Sequence, residues 1–174
     1  MRPARLEDKR AVAELHCLEK SLPLDACIDL FHREFTICAS EPEKRTYLLA
    51  LSDQQLVGYA GARYYDQNKH ENMYGTANLL PTGWYLRGIK IHPEWRRRGL
   101  ARTMTTKRLE WLGARSDHAL VFLDDENKVT LPMYFELGFI EVSRGWTFCD
   151  PHRVAKNTTG ILLRKSIGDP KPCP

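Results

Sequence analysis

The chain has 174 residues, of which 43% are hydrophobic and 28% charged, and its formal net charge is +4. These values predict one soluble globular domain, long enough to bury a core without disulfide staples. No apolar run approaches the roughly 20 residues of a membrane span. The opening MRPARLEDKR holds no signal-peptide core, and the positive charge is too small and too local to argue for nucleic acid.

In chain order, Met1–Arg5 is expected to form a very short strand. Leu6–Lys20 reads as a helix with Ala11, Leu15 and Leu18 on one face and Asp8 as its cap. Pro23 interrupts the chain, and Leu24–Ala39 follows as a second helix with Ile28, Phe31, Phe35 and Cys38 on one side. Asp25, Asp29 and Glu34 bring negative charge to that helix, either as a solvated face or as an acidic rim turned toward a cationic substrate. Arg45–Leu51 and Gln55–Tyr65 read as antiparallel strands joined by a turn at Ser52-Asp53-Gln54. Gly58 and Gly61 weaken the second of them and suggest a bend. Asp66–Gly83 is a long irregular stretch in which His70, Glu71 and Tyr74 are candidates for a substrate pocket, a plain surface loop being the alternative.

Trp84–Leu112 then reads as a strand, a basic turn and a helix. The strand signal is WYLRGIKI, closed by His92-Pro93 because proline cannot donate to a ladder. Leu100, Met104, Leu109 and Leu112 recur at helical spacing. Arg98 and Arg102 fall near the start of that helix, where the macrodipole is already positive and arginine is unfavourable. A local rule broken at one place points to function, and the missing party is an anion. Free N–H groups at a helix start bind phosphate, and Gly99 and Ala101 let it approach the backbone. Gly88, inside the strand, predicts a bulge or the close approach of a ligand. A ligand with a peptide-like arm and a pyrophosphate fits both features.

His118–Asp124 reads as a buried strand, followed by the acidic run Asp124-Asp125-Glu126, a short helix through Leu137, and Gly138 at the usual C-terminal position. Phe139–Cys149 and Thr159–Lys165 read as closing strands around a loop at Asp150–Thr158. The five cysteines, Cys17, Cys27, Cys38, Cys149 and Cys173, are scattered and odd in number. They read as free thiols in a reducing cytosol, with Cys17 filling core space, so a cytoplasmic protein without a metal framework is expected. The order of strand, two helices, three strands, helix, strand, helix and two strands predicts an α/β fold on a mixed, mostly antiparallel central sheet flanked by helices.

Arg96-x-x-Gly99-x-Ala101, placed between that strand and that helix, resembles the acetyl-CoA motif of the GNAT N-acetyltransferase superfamily, Gln/Arg-x-x-Gly-x-Gly/Ala. Asn127-x-x-Thr130-x-x-Met133-Tyr134-x-x-Leu137-Gly138-Phe139 resembles the second signature of the same family, and the two stand in the family's order. The resemblance implies the acyl-CoA N-acyltransferase fold, one domain over residues 1–167 with 168–174 as a flexible tail, and acetyl-CoA as acyl donor. It places cofactor contacts on Ile89, Lys90, Ile91, Arg96, Arg97, Arg98, Gly99, Leu100, Ala101 and Arg102, and assigns the pantetheine arm to Asn127. It puts on Tyr134 the protonation of the departing thiolate.

The chemistry can be set out separately. A neutral amine attacks a thioester carbonyl, a backbone N–H of the bulged strand such as that of Ile89 stabilises the oxygen, and a phenol can protonate the leaving sulfur. The strand Trp84–Ile91 contains no acid, so a family glutamate there cannot act as base. Asp124, Asp125 and Glu71 are the alternatives, beside ordered water. The acidic residues favour a small cationic acceptor, aminoglycoside-like or polyamine-like, with Asp124, Asp125, Glu71 and Tyr85 as candidate contacts. A protein N-terminal or lysine acetyltransferase and a non-catalytic acyl-CoA sensor are the competing readings. Neither nucleic acid nor membrane is expected as a partner, and the chain is expected to be a monomer or homodimer.

Overall fold

The computed structural model describes residues 1–18, 22–67, 76, 79–149 and 159–168. In chain order the elements are β1 (Arg2–Pro3), α1 (Lys9–Cys17), α2 (Leu24–Ser40), β2 (Arg45–Ser52), β3 (Gln55–Tyr65), β4 (Gly83–Ile91), α3 (Leu100–Leu112), β5 (His118–Asp124), α4 (Thr130–Glu136), β6 (Ile140–Thr147) and β7 (Thr159–Ser166). The strands form one seven-stranded sheet in the order β1-β2-β3-β4-β5-β7-β6. β1–β2, β2–β3, β5–β7 and β6–β7 pair antiparallel, and β4–β5 pair parallel. This is the mixed α/β sheet expected from the element order. No described helix is long and apolar enough to cross a membrane.

The residues fall into two compact units, Met1–Arg63 with Arg87–Arg108, and Tyr64–Leu86 with Leu109–Pro174. In the first unit, neighbouring strand residues point to opposite faces, as pleating requires. Leu49 and Tyr59 face one way and join Val12, Ala13 and Leu15 of α1 and Cys27, Phe31 and Phe35 of α2. Ala50 and Ala60 face the other way and join Val57, Ile91 and Met104 of α3. The turn between β2 and β3 has left-handed backbone at both Asp53 (φ 48°) and Gln54 (φ 69°), the twist that a two-residue hairpin needs.

Two expectations for this unit are corrected. The buried face of α1 is Val12, Ala13 and Leu15, whereas Ala11 and Leu18 are exposed. Packing against Phe31, Phe35, Leu49 and Tyr59 settles that stripe, and the α-helix begins only at Lys9, after a 3-10 turn at Leu6–Asp8. Asp8 does not cap α1. Its carboxylate accepts the Arg5 N–H at 2.7 Å and binds the Arg2 guanidinium twice, at 2.6 and 2.8 Å. At Gly61 a Cβ would stand 3.1 Å from the Tyr47 ring, so its absence makes room for that ring across the ladder, and the ladder shifts register between Ala50, opposite Gly58, and Leu51, opposite Leu56.

The second unit is held by Tyr65, Leu80, Tyr85, Leu120, Phe122, Phe148 and Leu162. β5 runs parallel to β4 with Tyr85 opposite Leu120, and antiparallel to β7 along its whole length, from His118 opposite Ser166 to Asp124 opposite Gly160. α4 ends as the sequence predicts, with Gly138 in left-handed backbone (φ 83°) and the Phe139 N–H returning to the Tyr134 carbonyl at 3.0 Å. The loop 150–158, the tail 169–174, His70, Glu71 and Tyr74 lie outside the described residues.

Candidate active site

In the first unit β4 hands over to α3 through a turn whose shape is set residue by residue. Gly88 lies within β4 in left-handed backbone (φ 33°) and is exposed, a local irregularity at the position where the sequence predicted one. The strand then recovers: the His92 N–H donates to the Val57 carbonyl at 2.9 Å. Pro93–Trp95 make one 3-10 turn. Arg96 folds back, its Nε donating to the Ile91 carbonyl at 3.2 Å, which ties the turn to the end of β4. Arg97 (φ 59°) and Gly99 (φ 75°) both adopt left-handed backbone, unusual for arginine and a local concentration of strain. The Arg98 guanidinium lies over the Trp95 ring, 4.9 Å from its centre.

This turn has the features an anion cradle requires. A Cβ built on Gly99 would meet nothing within 4 Å, so the space over the turn is open. Leu100 and Ala101 lean on the cluster of Ile91 and Met104, which anchors the first turn of α3. The Thr103 N–H and hydroxyl both bond to the Gly99 carbonyl, at 3.0 and 3.2 Å. The N–H groups ahead of Thr103 are the donors that every helix start leaves without intrahelical acceptors. Of the sequence-predicted cofactor residues, Arg97, Arg98, Gly99 and Arg102 are exposed along this turn, while Ile91 is a core side chain. Ile89 and Lys90 are half-buried on β4. Buried under the same region, Arg108 of α3 (1% exposed) donates to the Gly61 carbonyl at 2.9 Å, the Arg87 carbonyl at 3.2 Å and the Thr105 hydroxyl at 2.9 Å. It thereby links β3 to β4 one residue before Gly88.

A cavity of about 160 Å³ opens in this unit beside Gly88, lined by His16, Phe31, Glu34, Tyr47, Tyr59 and Arg87 among others. The Tyr47 hydroxyl donates to Glu34 Oε2 at 3.1 Å, and His16 Nδ1 contacts the Tyr59 hydroxyl. Burial pushes both phenols far above the ordinary tyrosine range, and the Glu34 carboxylate adds to this at Tyr47. Both therefore stay protonated, and Tyr47 keeps the proton it donates to Glu34. Sequence reading reached Glu34 as part of an acidic helix face, but missed His16, Tyr47 and Tyr59. The signal for Tyr47 and Tyr59 was the aromatic pattern on β2 and β3, whose register places Leu49 opposite Tyr59 and Tyr47 opposite Gly61, while His16 on α1 had no such signal.

In the second unit Tyr134 is 4% exposed, and its ring meets Phe139 edge-on at 5.2 Å. Among the described residues its hydroxyl has no hydrogen-bond partner. Asn127 starts the helix that carries it: its Oδ1 accepts the N–H groups of Val129 at 3.3 Å and Thr130 at 3.0 Å. Asp124 accepts the Glu126 N–H at 3.0 Å. Asp125 accepts the Thr159 hydroxyl and stands 3.8 Å from the Arg144 guanidinium, so its charge is already matched within the fold. Tyr85, a predicted substrate contact, is fully buried and donates to the Pro81 carbonyl at 2.7 Å. It is a core residue, packed with Tyr65, Leu120 and Phe122 in a part of β4 where both faces are buried.

The chain thus forms a mixed α/β sheet with an exposed, arginine-rich turn between its fourth strand and third helix. The family model described as "Acetyltransferase (GNAT) family" matches residues 10–139, and the chain belongs to that family of acyltransferases. Among solved structures it is similar to the ribosomal-protein-alanine N-acetyltransferase of Brucella melitensis, with a TM-score of 0.68, 16% identity, and coverage of 95% of this chain and 98% of that one. It is also similar to the ribosomal-protein-S18-alanine N-acetyltransferase of Escherichia coli, with a TM-score of 0.65, 13% identity, and coverage of 98% and 95%. The PaiA N-acetyltransferase of Thermoplasma acidophilum, in complex with coenzyme A, aligns with a TM-score of 0.60, 11% identity, and coverage of 95% and 96%. At these identities the likeness is one of fold. A comparison with curated protein sequences found no match.

Proposed function

We propose that this protein transfers the acetyl group of acetyl-CoA to the primary amine of a small molecule, and that the cavity beside Gly88 receives the amine. The observation that carries this reading is the placement of Glu34, a carboxylate held by the Tyr47 hydroxyl, in the lining of the same cavity as Gly88 of β4. Acetyl-CoA supplies an activated acyl thioester. Arg97, Arg98, Arg102 and the first N–H groups of α3 hold its pyrophosphate. The Ile89 N–H, next to the left-handed Gly88, donates to the thioester carbonyl oxygen as charge builds there. Glu34, from the acidic helix face that sequence reading offered beside Asp124 and Asp125, draws in the cationic amine, which loses a proton to ordered water and attacks the thioester carbonyl carbon as the neutral amine. The Tyr134 hydroxyl gives its proton to the departing sulfur.

Two other readings share the fold. In one, the acceptor is a protein N-terminus or lysine, as the names of the ribosomal-protein-alanine neighbours state for those proteins. In the other, the chain only senses acyl-CoA. The test is thiol release from acetyl-CoA against small amines, polyamines, aminoglycosides and basic peptides. Turnover with small amines is the expected result. Turnover with peptides alone would give the first alternative, and CoA binding without any turnover the second.

A further inference from the structure

The walls of the acceptor cavity beside Gly88 are largely aromatic. Phe31 of α2 and Tyr59 of β3 are buried, and Tyr47 of β2 is half-buried. Phe31 meets three neighbouring rings edge-on: His16 at 5.4 Å and 71°, Tyr59 at 5.4 Å and 75°, and Tyr47 at 6.2 Å and 80°. Leu30, on the same helix and exposed, adds aliphatic surface to the lining. The two phenol hydroxyls already have partners within these walls, Tyr47 on Glu34 and Tyr59 on His16. What the walls offer a guest is mostly ring and aliphatic carbon.

Size and charge narrow the guest further. About 160 Å³ is open here, close to the roughly 150 Å³ of an apolar protein cavity that takes up one benzene. An aminoglycoside, with its several sugar rings, is too large to enter. Among the described residues of the lining, Glu34 is the one carboxylate, and Arg87 brings a positive charge. A single ammonium finds its counter-charge in Glu34. The second ammonium of a polyamine meets apolar carbon and a guanidinium, and burying a charge without a partner is costly.

We infer that the acceptor is a primary monoamine carrying one aromatic ring on a short linker, the ring seated against Leu30, Phe31 and Tyr59 and the ammonium against Glu34. This deepens the reading of the cavity as the amine site and rests on it. Aromatic rings pack best edge-to-face, and walls already packed that way offer a flat guest the same geometry. The linker is short because ring and ammonium share one cavity of this volume.

The test measures thiol release from acetyl-CoA with benzylamine, 2-methoxyethylamine, 2-phenylethylamine, 2-(1-naphthyl)ethylamine, spermidine and kanamycin. 2-Methoxyethylamine is about as basic as benzylamine and lacks the ring, so a preference between the two comes from the site. Wild type is expected to prefer benzylamine by about 10- to 100-fold in kcat/KM, the worth of burying one ring. The naphthyl amine, one ring too large, should fall well below 2-phenylethylamine. Leu30 is exposed, so Leu30→Ser is expected to fold and to lower the benzylamine preference by about 3-fold. Phe31→Leu, with folding checked by circular dichroism, should lower it further. A preference unchanged in both variants places the ring elsewhere and overturns the site. So does equal use of benzylamine and 2-methoxyethylamine, equal use of the naphthyl and phenyl amines, or best turnover with spermidine or kanamycin, each of which leaves the acetyltransferase reading standing. If no amine releases thiol, the thermal midpoint decides. Stabilisation by benzylamine but not by 2-methoxyethylamine, reduced in Leu30→Ser, upholds the ring site, and no stabilisation by benzylamine overturns it.

Discussion

Replacing Arg108 with methionine tests how β4 is held beside the cavity. The side chain is buried and gives hydrogen bonds to the Gly61 carbonyl, the Arg87 carbonyl and the Thr105 hydroxyl. Methionine fills much of the same volume and carries no charge, so two effects oppose each other. The variant escapes the several kcal/mol that burying a cation costs the folded state. It also leaves two strand carbonyls without a donor, at about 1–3 kcal/mol each. The guanidinium Nε has no hydrogen-bond partner, so part of the burial cost remains in the wild type and its relief offsets part of the lost bonds. A net loss of about 2–4 kcal/mol is therefore expected, with the lost bonds outweighing the relieved burial. For a chain of this length that corresponds to a fall of about 5–15 °C in the thermal midpoint. Because the Arg87 carbonyl directly precedes Gly88, kcat should fall in the surviving folded protein while CoA binding holds. The assay is thermal unfolding followed by circular dichroism, with thiol release measured well below the midpoint. A variant as stable as wild type would refute the reasoning, showing that burial of the charge cost as much as its bonds returned.

Tyr134→Phe keeps the ring against Phe139 and removes only the hydroxyl. Its kcat should drop by about the low end of the 10²–10⁴-fold range of general acid catalysis, with an unchanged CoA dissociation constant; full activity would make Tyr134 a core residue only. The paired Arg2 guanidinium and the Arg5 N–H hold the Asp8 carboxyl below its ordinary range. A depressed folded-state pKa stabilises above the unfolded value of about 3.9, and that contribution is lost as pH falls through the folded value. Asp8→Asn should therefore lower stability by about 1 kcal/mol at neutral pH, a small figure because Arg2 is partly exposed. It should also flatten the acid limb of the stability profile, and an unchanged limb would remove the pair from the account.

The sequence carried the order of elements because each is locally marked: β-branched and aromatic runs for the strands, Pro23 and Pro93 as breaks, Gly138 as a stop. It carried the irregular turn after β4 because Arg96, Gly99 and Ala101 lie within six residues and what shapes that turn is local. What it could not carry depends on register. Arg45 and Arg63 are far apart in the chain and become neighbours only through the β2–β3 ladder. Arg108 sits on a helix that reads as amphipathic, and nothing in its surroundings in sequence shows that it turns inward to strand carbonyls. The face of α1 was misplaced because its buried stripe is settled by packing against Phe31, Phe35, Leu49 and Tyr59, which come from other elements. Asp125 looked available because its partners, Thr159 and Arg144, come from strands that follow much later.

Calorimetric titration of acetyl-CoA into wild type and Gly99→Asp puts the central claim to the most direct test. At Gly99 the backbone is left-handed and the space beside it is open, so aspartate sets both a side chain and a negative charge where the pyrophosphate would lie. The account predicts binding to wild type and none to the variant, with the variant still folded by circular dichroism. Equal dissociation constants in the two proteins would contradict it, because acetyl-CoA would then be held somewhere other than the turn between β4 and α3.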